Sequence, residues 1–307
     1  MTEALRDAPT VRRSSRASVR HNEDRMALAM TRRQARNTKL SIISLGLVIF
    51  GIWTLAPLYW IVVTSIKPNL LIYREPSLFP SQITFDHYAF VLDKTPFLLY
   101  VKNSFLVTIS TTVLSCIVGT LAAYSITRLQ FVGREWVARS VVVTYLVPVS
   151  LLFIPMFQVI YTLGLMDNVL GLMVVYLTFT VPFATWMMIG YFRDVPTEIE
   201  DAALVDGCSR IQSLVLIMLP LALPALAVVA LFSFTLSWNE FLYALVFIGS
   251  DSQKTLTLGL IGLVRGDTFP WGPMMAASLL GALPPVVVYI ISQKWVVSGL
   301  SAGGVKG

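Results

Sequence analysis

Six stretches of this chain contain no Asp, Glu, Lys or Arg, and each is 25 residues or longer: Leu40–Ile66, Asn103–Thr127, Ser140–Met166, Asn168–Phe192, Ile211–Asn239 and Thr268–Gln293. A helix crosses the apolar layer of a bilayer with about 20 mostly apolar residues. Each stretch is therefore long enough for one crossing. The third and fourth are parted only by Asp167, with Gly164 and Asn168 beside it. Together they are too long for one crossing and suit a hairpin. The rest of the composition agrees: 56% of the 307 residues are hydrophobic and 13% are charged. Soluble domains carry roughly 25% charged residues, so this chain cannot coat itself against water. Disorder is excluded by the same figures. The sequence predicts an all-α integral membrane protein with six transmembrane helices.

Charge distribution orients these helices. Residues 1–39 hold ten Lys and Arg against four acids, a surplus equal to the whole net charge of +6. This stretch reads as a basic, disordered cytoplasmic tail. It is too long for the leading region of a secretory signal, and the apolar segment behind it is too long for a signal core. With the N-terminus inside, the cytoplasmic segments 1–39, 128–139, 193–210 and 294–307 carry 17 of the 23 Lys and Arg. Positively charged loops stay in the cytoplasm, so both termini are expected there. The domain plan is a tail over 1–39, a membrane domain over 40–293 and a cytoplasmic C-terminal tail over 294–307.

The charge-free stretches also narrow the mechanism. Proton- and cation-coupled carriers place ionisable groups at mid-membrane. A secondary transporter is therefore the poorer reading. Only two Cys (Cys116, Cys208) and two His (His21, His87) occur, and none has a metal-ligand spacing. No catalytic residue and no metal site is expected. No G-x-x-x-x-G-K-[ST] loop is present to cradle a nucleotide phosphate.

The loop between the fourth and fifth stretches is the most informative. Pro196-Thr197-Glu198-Ile199-Glu200-Asp201-Ala202-Ala203-Leu204-Val205-Asp206-Gly207 reads as a helix over about 198–206. Thr197 and Glu200 have the spacing of a capping box, and Gly207 is a left-handed stop. Ile199, Ala202, Ala203 and Asp206 fall on one face. The loop holds five acids against Arg193 and Arg210. After Asp201-Ala202-Ala203 come three residues, Gly207, nine more residues, and Ile217-Met218-Leu219-Pro220.

This spacing resembles the cytoplasmic E-A-A-x₃-G-x₉-I-x-L-P motif of permease subunits in binding-protein-dependent ABC importers, with Asp201 in place of the first Glu. Ser65-Ile66-Lys67-Pro68-Asn69, Pro76-Ser77-Leu78-Phe79-Pro80, Thr84-Phe85-Asp86-His87-Tyr88 and Thr95-Pro96-Phe97 with Asn103-Ser104 resemble the maltose-permease G-subunit type. So do Ser237-Trp238-Asn239-Glu240-Phe241 and the terminal Gly299–Gly307 run. The likeness covers about residues 40–307.

The resemblance implies a type I ABC importer permease fold in a bacterial cytoplasmic membrane. It implies a coupling helix that docks on a partner ATPase, with Glu200, Asp201, Ala202, Ala203 and Gly207 as coupling residues. The implied partners are a second related permease subunit, two copies of an ATPase subunit and an external sugar-binding protein. ATP and Mg would be bound by the ATPase, not by this chain. Loop 240–267 would lie outside and reach into the docked binding protein. The implied cargo is a sugar or sugar derivative, with glycerol phosphates, amino acids and polyamines as alternatives. Carbohydrate sites combine hydrogen-bonding groups and rings, so Tyr145, Gln158, Tyr176, Trp186, Trp238 and Asn239 are candidates for the translocation path.

Overall fold

In the computed structural model the backbone is described for residues 11–74, 77–264 and 269–303, and side chains for 37–74, 77–264 and 269–295. Pro76, Gly266 and the last four residues lie outside the described residues. The chain divides into two units, residues 1–60 and 61–307.

The first unit is most of one long helix, α1 (Val11–Ser65), which contains Pro57. The basic segment expected to be a disordered tail is thus helical from Val11, continuous with the first apolar stretch. No Gly or Pro occurs between Pro9 and Gly46 to stop it. The most apolar window of Asn37–Ser65 is 0% buried.

The second unit is a helical bundle. Two short elements, α2 (Asn69–Arg74) and α3 (Asp86–Lys94), precede the long α4 (Phe97–Arg128). Then come α5 (Arg134–Leu146), α6 (Phe153–Thr162) and α7 (Val169–Asp194). The connecting loop forms α8 (Thr197–Val205). Next are α9 (Arg210–Ser213), a π turn at Leu214–Met218, α10 (Leu219–Leu221) and α11 (Leu223–Trp238). The chain ends with α12 (Leu242–Phe247), α13 (Leu256–Ile261) and α14 (Trp271–Gly303).

At the centre α4 packs along α7, and α11 packs on both and on α14. Small residues let α4 and α7 approach closely. A Cβ placed on Gly119 would sit 2.6 Å from Ala184 Cβ and 3.0 Å from the Thr185 backbone nitrogen. In membranes such small residues replace the hydrophobic drive that lipid cannot supply. Ser115 and Thr180 add a buried hydroxyl contact of 2.6 Å across the same seam.

Four described helices are long and apolar enough to cross a membrane, and a fifth forms if the bent pair Arg210–Leu221 and Leu223–Trp238 is one crossing. The six crossings expected from the uncharged stretches are therefore not all single helices. The third stretch is divided. Val147 is extended (ψ 124°) ahead of Pro148, and a 3₁₀ turn over Val149–Leu151 separates α5 from α6. A residue before proline is pushed out of the helical region. Tyr243 donates to the Val149 carbonyl at 2.8 Å, a second donor beside the Leu152 N–H at 3.1 Å. The fifth stretch bends by 79° at Ala222, between Pro220 and Pro224. There the Tyr191 hydroxyl donates to the Leu221 carbonyl.

Candidate functional site

The loop helix α8 ends as its sequence predicts. Gly207 has φ +91°. Its N–H donates to Leu204 O at 3.1 Å, and the Cys208 N–H donates to Ala203 O at 3.0 Å. That pair of bonds is a Schellman closure and requires a left-handed residue at Gly207. Nothing lies within 4 Å of the Cβ position, so only the backbone conformation restricts this site. Gly207→Val should cost about 1–2 kcal/mol at the turn. Transport should drop while membrane insertion is retained. Uptake in vesicles, scored beside the amount of inserted chain, checks this.

The start of α8 differs from expectation. The residue before the first turn is Pro196, and no side chain caps it. The Thr197–Glu200 capping box does not form because Glu200 turns inward, where it is 2% exposed. A local bond to an exposed backbone N–H loses to buried cationic partners. The capping box in this region is one helix later, between Ser209 and Gln212.

Glu200 sits at the meeting of several elements. The Tyr124 hydroxyl shares its proton between Glu200 Oε1 (2.5 Å) and the Arg210 carbonyl (3.2 Å). Arg210 Nη1 lies 3.2 Å from Glu200 Oε1. Arg128 Nε lies 3.3 Å from Glu200 Oε2, an ion-pair contact without hydrogen-bond alignment. The other end of the Arg128 guanidinium donates to Phe192 O at 2.9 Å and Val195 O at 2.7 Å. Those carbonyls close α7, where a cation also complements the helix dipole. The Arg128 side chain is 6% exposed, whereas that of Arg210 is 52% exposed.

The expected single face of α8 therefore splits. Glu200 and Ala203 point into the protein, while Ile199, Asp201, Ala202, Val205 and Asp206 are exposed. Of the inward pair, Glu200 meets Tyr124, which belongs to a core with Phe192, Leu214 and Met218. The outward face is apolar at its centre, with Val205 86% exposed, and acidic at its edges. The loop was predicted as a docking element. Tyr124, Arg128 and Arg210 were not predicted as its anchors. A signal existed: Tyr124 and Arg128 are four residues apart on the last turn of their helix, so they share a face.

The opposite ends of α4 and α7 carry a second set of contacts, from residues 240–257. Asn103 Nδ2 donates to Ser252 O and Lys254 O, both at 2.9 Å. Ser104 Oγ accepts from the Leu256 N–H at 2.7 Å, and Gln253 Oε1 accepts from the Val169 N–H at 3.1 Å. Glu240 accepts from Tyr176 at 2.7 Å and from the Tyr243 N–H at 2.9 Å. The hairpin turn at Asp167 joins this set. Its N–H donates to Phe247 O at 2.8 Å, and Oδ1 accepts from Gly249 N, Ser250 N and Ser250 Oγ at 2.9–3.0 Å.

The Ser250 N–H, with the Gly249 N–H and Ser250 hydroxyl, holds the Asp167 carboxyl below its ordinary range, against a smaller opposing effect of burial. A depressed folded pKa contributes stability that is present above the unfolded value. It is lost as pH falls through the folded value. The gap in melting temperature between the natural chain and Asp167→Asn should therefore narrow as pH drops below about 4. A constant gap across that range excludes the role.

The path candidates are scattered. Tyr145 and Trp186 stack at 5.5 Å, both about two-fifths exposed. Trp186 also lines a largely apolar groove of about 710 Å³ between α5, α7 and α11. Tyr176 is fully buried on Glu240, and Trp238 is buried with its indole N–H on Gly281 O at 3.2 Å. Gln158 is exposed, and exposed Asn239 donates back to Thr235 O at 2.9 Å. These residues do not form one cluster. Among the described residues no group of three or more His, Cys, Asp or Glu is placed to hold a metal ion.

The family described as "Binding-protein-dependent transport system inner membrane component" matches residues 115–302. The inner membrane ABC transporter permease protein YcjP of Escherichia coli (strain K12) is 39% identical over 265 residues, covering 85% of this chain and 95% of that protein. The trehalose/maltose transport system permease protein MalG of Thermococcus litoralis is 33% identical over 273 residues, covering 88% of this chain and 98% of that protein. The crystal structure of a bacterial ABC transporter involved in the import of the acidic polysaccharide alginate contains a chain of the same fold, with TM-score 0.73 at 24% identity, covering 83% of this chain and 95% of that one.

Proposed function

The chain belongs to the family of binding-protein-dependent transport system inner membrane components, and from that premise we propose that it is the permease subunit of an ATP-driven importer of a saccharide. The observation that carries the importer reading is α8. It is a short helix closed at Gly207 and locked inward at Glu200, and it presents Asp201, Ala202 and Val205 outward. A partner ATPase subunit engages this outward face, two copies serving this chain and a second, related permease. ATP and Mg belong to those ATPase subunits. Both termini and α8 lie in the cytoplasm, and the 240–257 contacts lie outside. In this topology α5 and α6 together make the third crossing, and α9 to α11 make the fifth.

The mechanism is alternating access. A loaded external binding protein docks at the outer loops. ATP closes the ATPases, α8 moves with them, and the permease pair opens outward to receive cargo. ATP supplies the bias between two states because it binds one of them better. The saccharide assignment rests on the relative named for trehalose/maltose transport and on rings such as the Tyr145–Trp186 stack beside the apolar groove. Of the path candidates, these two form the proposed contact with cargo.

The test is reconstitution with the partner permease, ATPase and binding protein in liposomes. Uptake of labelled trehalose, maltose and a charged control solute is measured with and without ATP. ATP-dependent uptake of one saccharide is expected. ATP-independent uptake by this chain alone sinks the importer reading. Uptake of only the charged solute sinks the saccharide one.

A further inference from the structure

We propose that Glu200 is a joint, not a docking residue: through Tyr124, Arg128 and Arg210 it delivers the displacement of α8 to α4. The proposal rests on the importer reading above. The two adjacent acids of the loop have opposite fates. Asp201 is exposed and available to a partner, while Glu200 is 2% exposed and fully engaged inside the chain.

The backbone explains why a joint is needed. α8 connects to α7 through Val195-Pro196 and to α9 through the left-handed turn at Gly207. An element held only by a turn at each end pivots when pushed. Glu200 removes that freedom. Its carboxylate takes a bond from α4 at Tyr124, an ion pair from α4 at Arg128 and a second ion pair from α9 at Arg210. Arg128 extends the hold to the last carbonyls of α7. The chain has no covalent link between α8 and α4 short of the whole α5–α7 hairpin. The carboxylate is therefore the short route from the membrane surface to the central helix, and it grips both arms flanking α8 at once.

The experiment uses the assembled importer in liposomes, with solute uptake and ATP hydrolysis read in the same vesicles. The central variant is Glu200→Gln combined with Arg128→Met, which removes both buried charges and leaves only the half-exposed Arg210 without its carboxylate. ATPase subunits should still co-purify with it and hydrolysis should persist. Uptake per ATP should fall about tenfold, in the usual range of coupling between sites. A role in folding alone lowers uptake, hydrolysis and ATPase recovery together and leaves their ratio unchanged, and that result overturns the joint. Tyr124→Phe removes one hydroxyl and keeps the charges. It should lower the same ratio severalfold, and an unaltered ratio counts against the proposal. Asp201→Asn should instead reduce ATPase recovery with uptake per ATP preserved. If Asp201→Asn lowers the ratio and the double variant does not, the roles of the two acids are reversed and the proposal fails. The natural chain separates this from the parent reading: without ATP-driven uptake by the natural assembly, the importer reading fails first.

Discussion

Gly119→Val is expected to abolish the folded permease. A Cβ at this position already meets Ala184 Cβ at 2.6 Å and the Thr185 backbone at 3.0 Å. Neither obstacle is the far end of a flexible side chain. α4 and α7 would have to separate, and they form the central pair on which α11 also packs. Overpacking in a close-packed interior costs about 1–3 kcal/mol, more where backbone is the obstacle. Lipid supplies no compensating hydrophobic drive between helices. The expected readout is a large fall in melting temperature in detergent and loss of the monodisperse species on size exclusion. Gly190→Ala is the control: it lies on the same α7, and nothing is within 4 Å of its Cβ position. A folded Gly119→Val chain with unchanged melting refutes the close approach of these helices.

Arg128→Met alone is expected to destabilise the chain more than the same change made together with Glu200→Gln. The single change leaves a 2%-exposed carboxylate with only the half-exposed Arg210 as its cation. It also strips donors from the last α7 carbonyls at Phe192 and Val195. Breaking a buried ion pair from one side costs about 3–5 kcal/mol, whereas replacing both partners by neutral groups is often nearly neutral. Thermal unfolding of both single variants and the double variant forms a cycle that isolates the pair. A double variant as unstable as the sum of the singles would show that the two side chains do not interact.

Much of the architecture is legible in the residues because the relevant signals are local. Uncharged stretches reveal apolar helices wherever they occur. Gly207 reveals the end of α8, since only a left-handed residue completes that turn. The Asp167 hairpin is visible from one charge and two turn-formers between apolar runs. Local rules fail where distant partners compete. Thr197 and Glu200 have the right spacing for a capping box, yet Arg128, some seventy residues earlier in sequence, offers the carboxylate a stronger partner in a drier place. Spacing alone also places Ala203 beside Ala202 on a docking face. With Glu200 drawn to Tyr124 and Arg128, Ala203 is buried and Ala202 stays outside. The third stretch shows the limit of counting apolar residues. Its length is adequate, but Pro148 interrupts the helix, and the side chain that bonds the turn beside it, Tyr243, comes from α12, 94 residues further on. The path candidates share a polar or ring-bearing residue type, and type does not report which helix face looks inward. Tyr176 and Trp238 therefore prove to be core.

The π turn at Leu214–Met218 follows directly on the helix that carries Arg210. A π turn closes its hydrogen bonds over five residues, so it stores a surplus residue relative to α geometry. That surplus can be passed along a helix without breaking it. Each step re-pairs one carbonyl and turns only the residue it passes by ~100°, the angle one residue represents. The lower part of this crossing is held by Glu200 through Arg210. The upper part, past the bend at Ala222, packs against α4 and α14. The facing of this crossing is therefore set at two places, by the surplus residue below and by the bend above, so a one-residue deletion within Leu214–Met218 should re-aim the segment between the π turn and the bend without removing a helical turn.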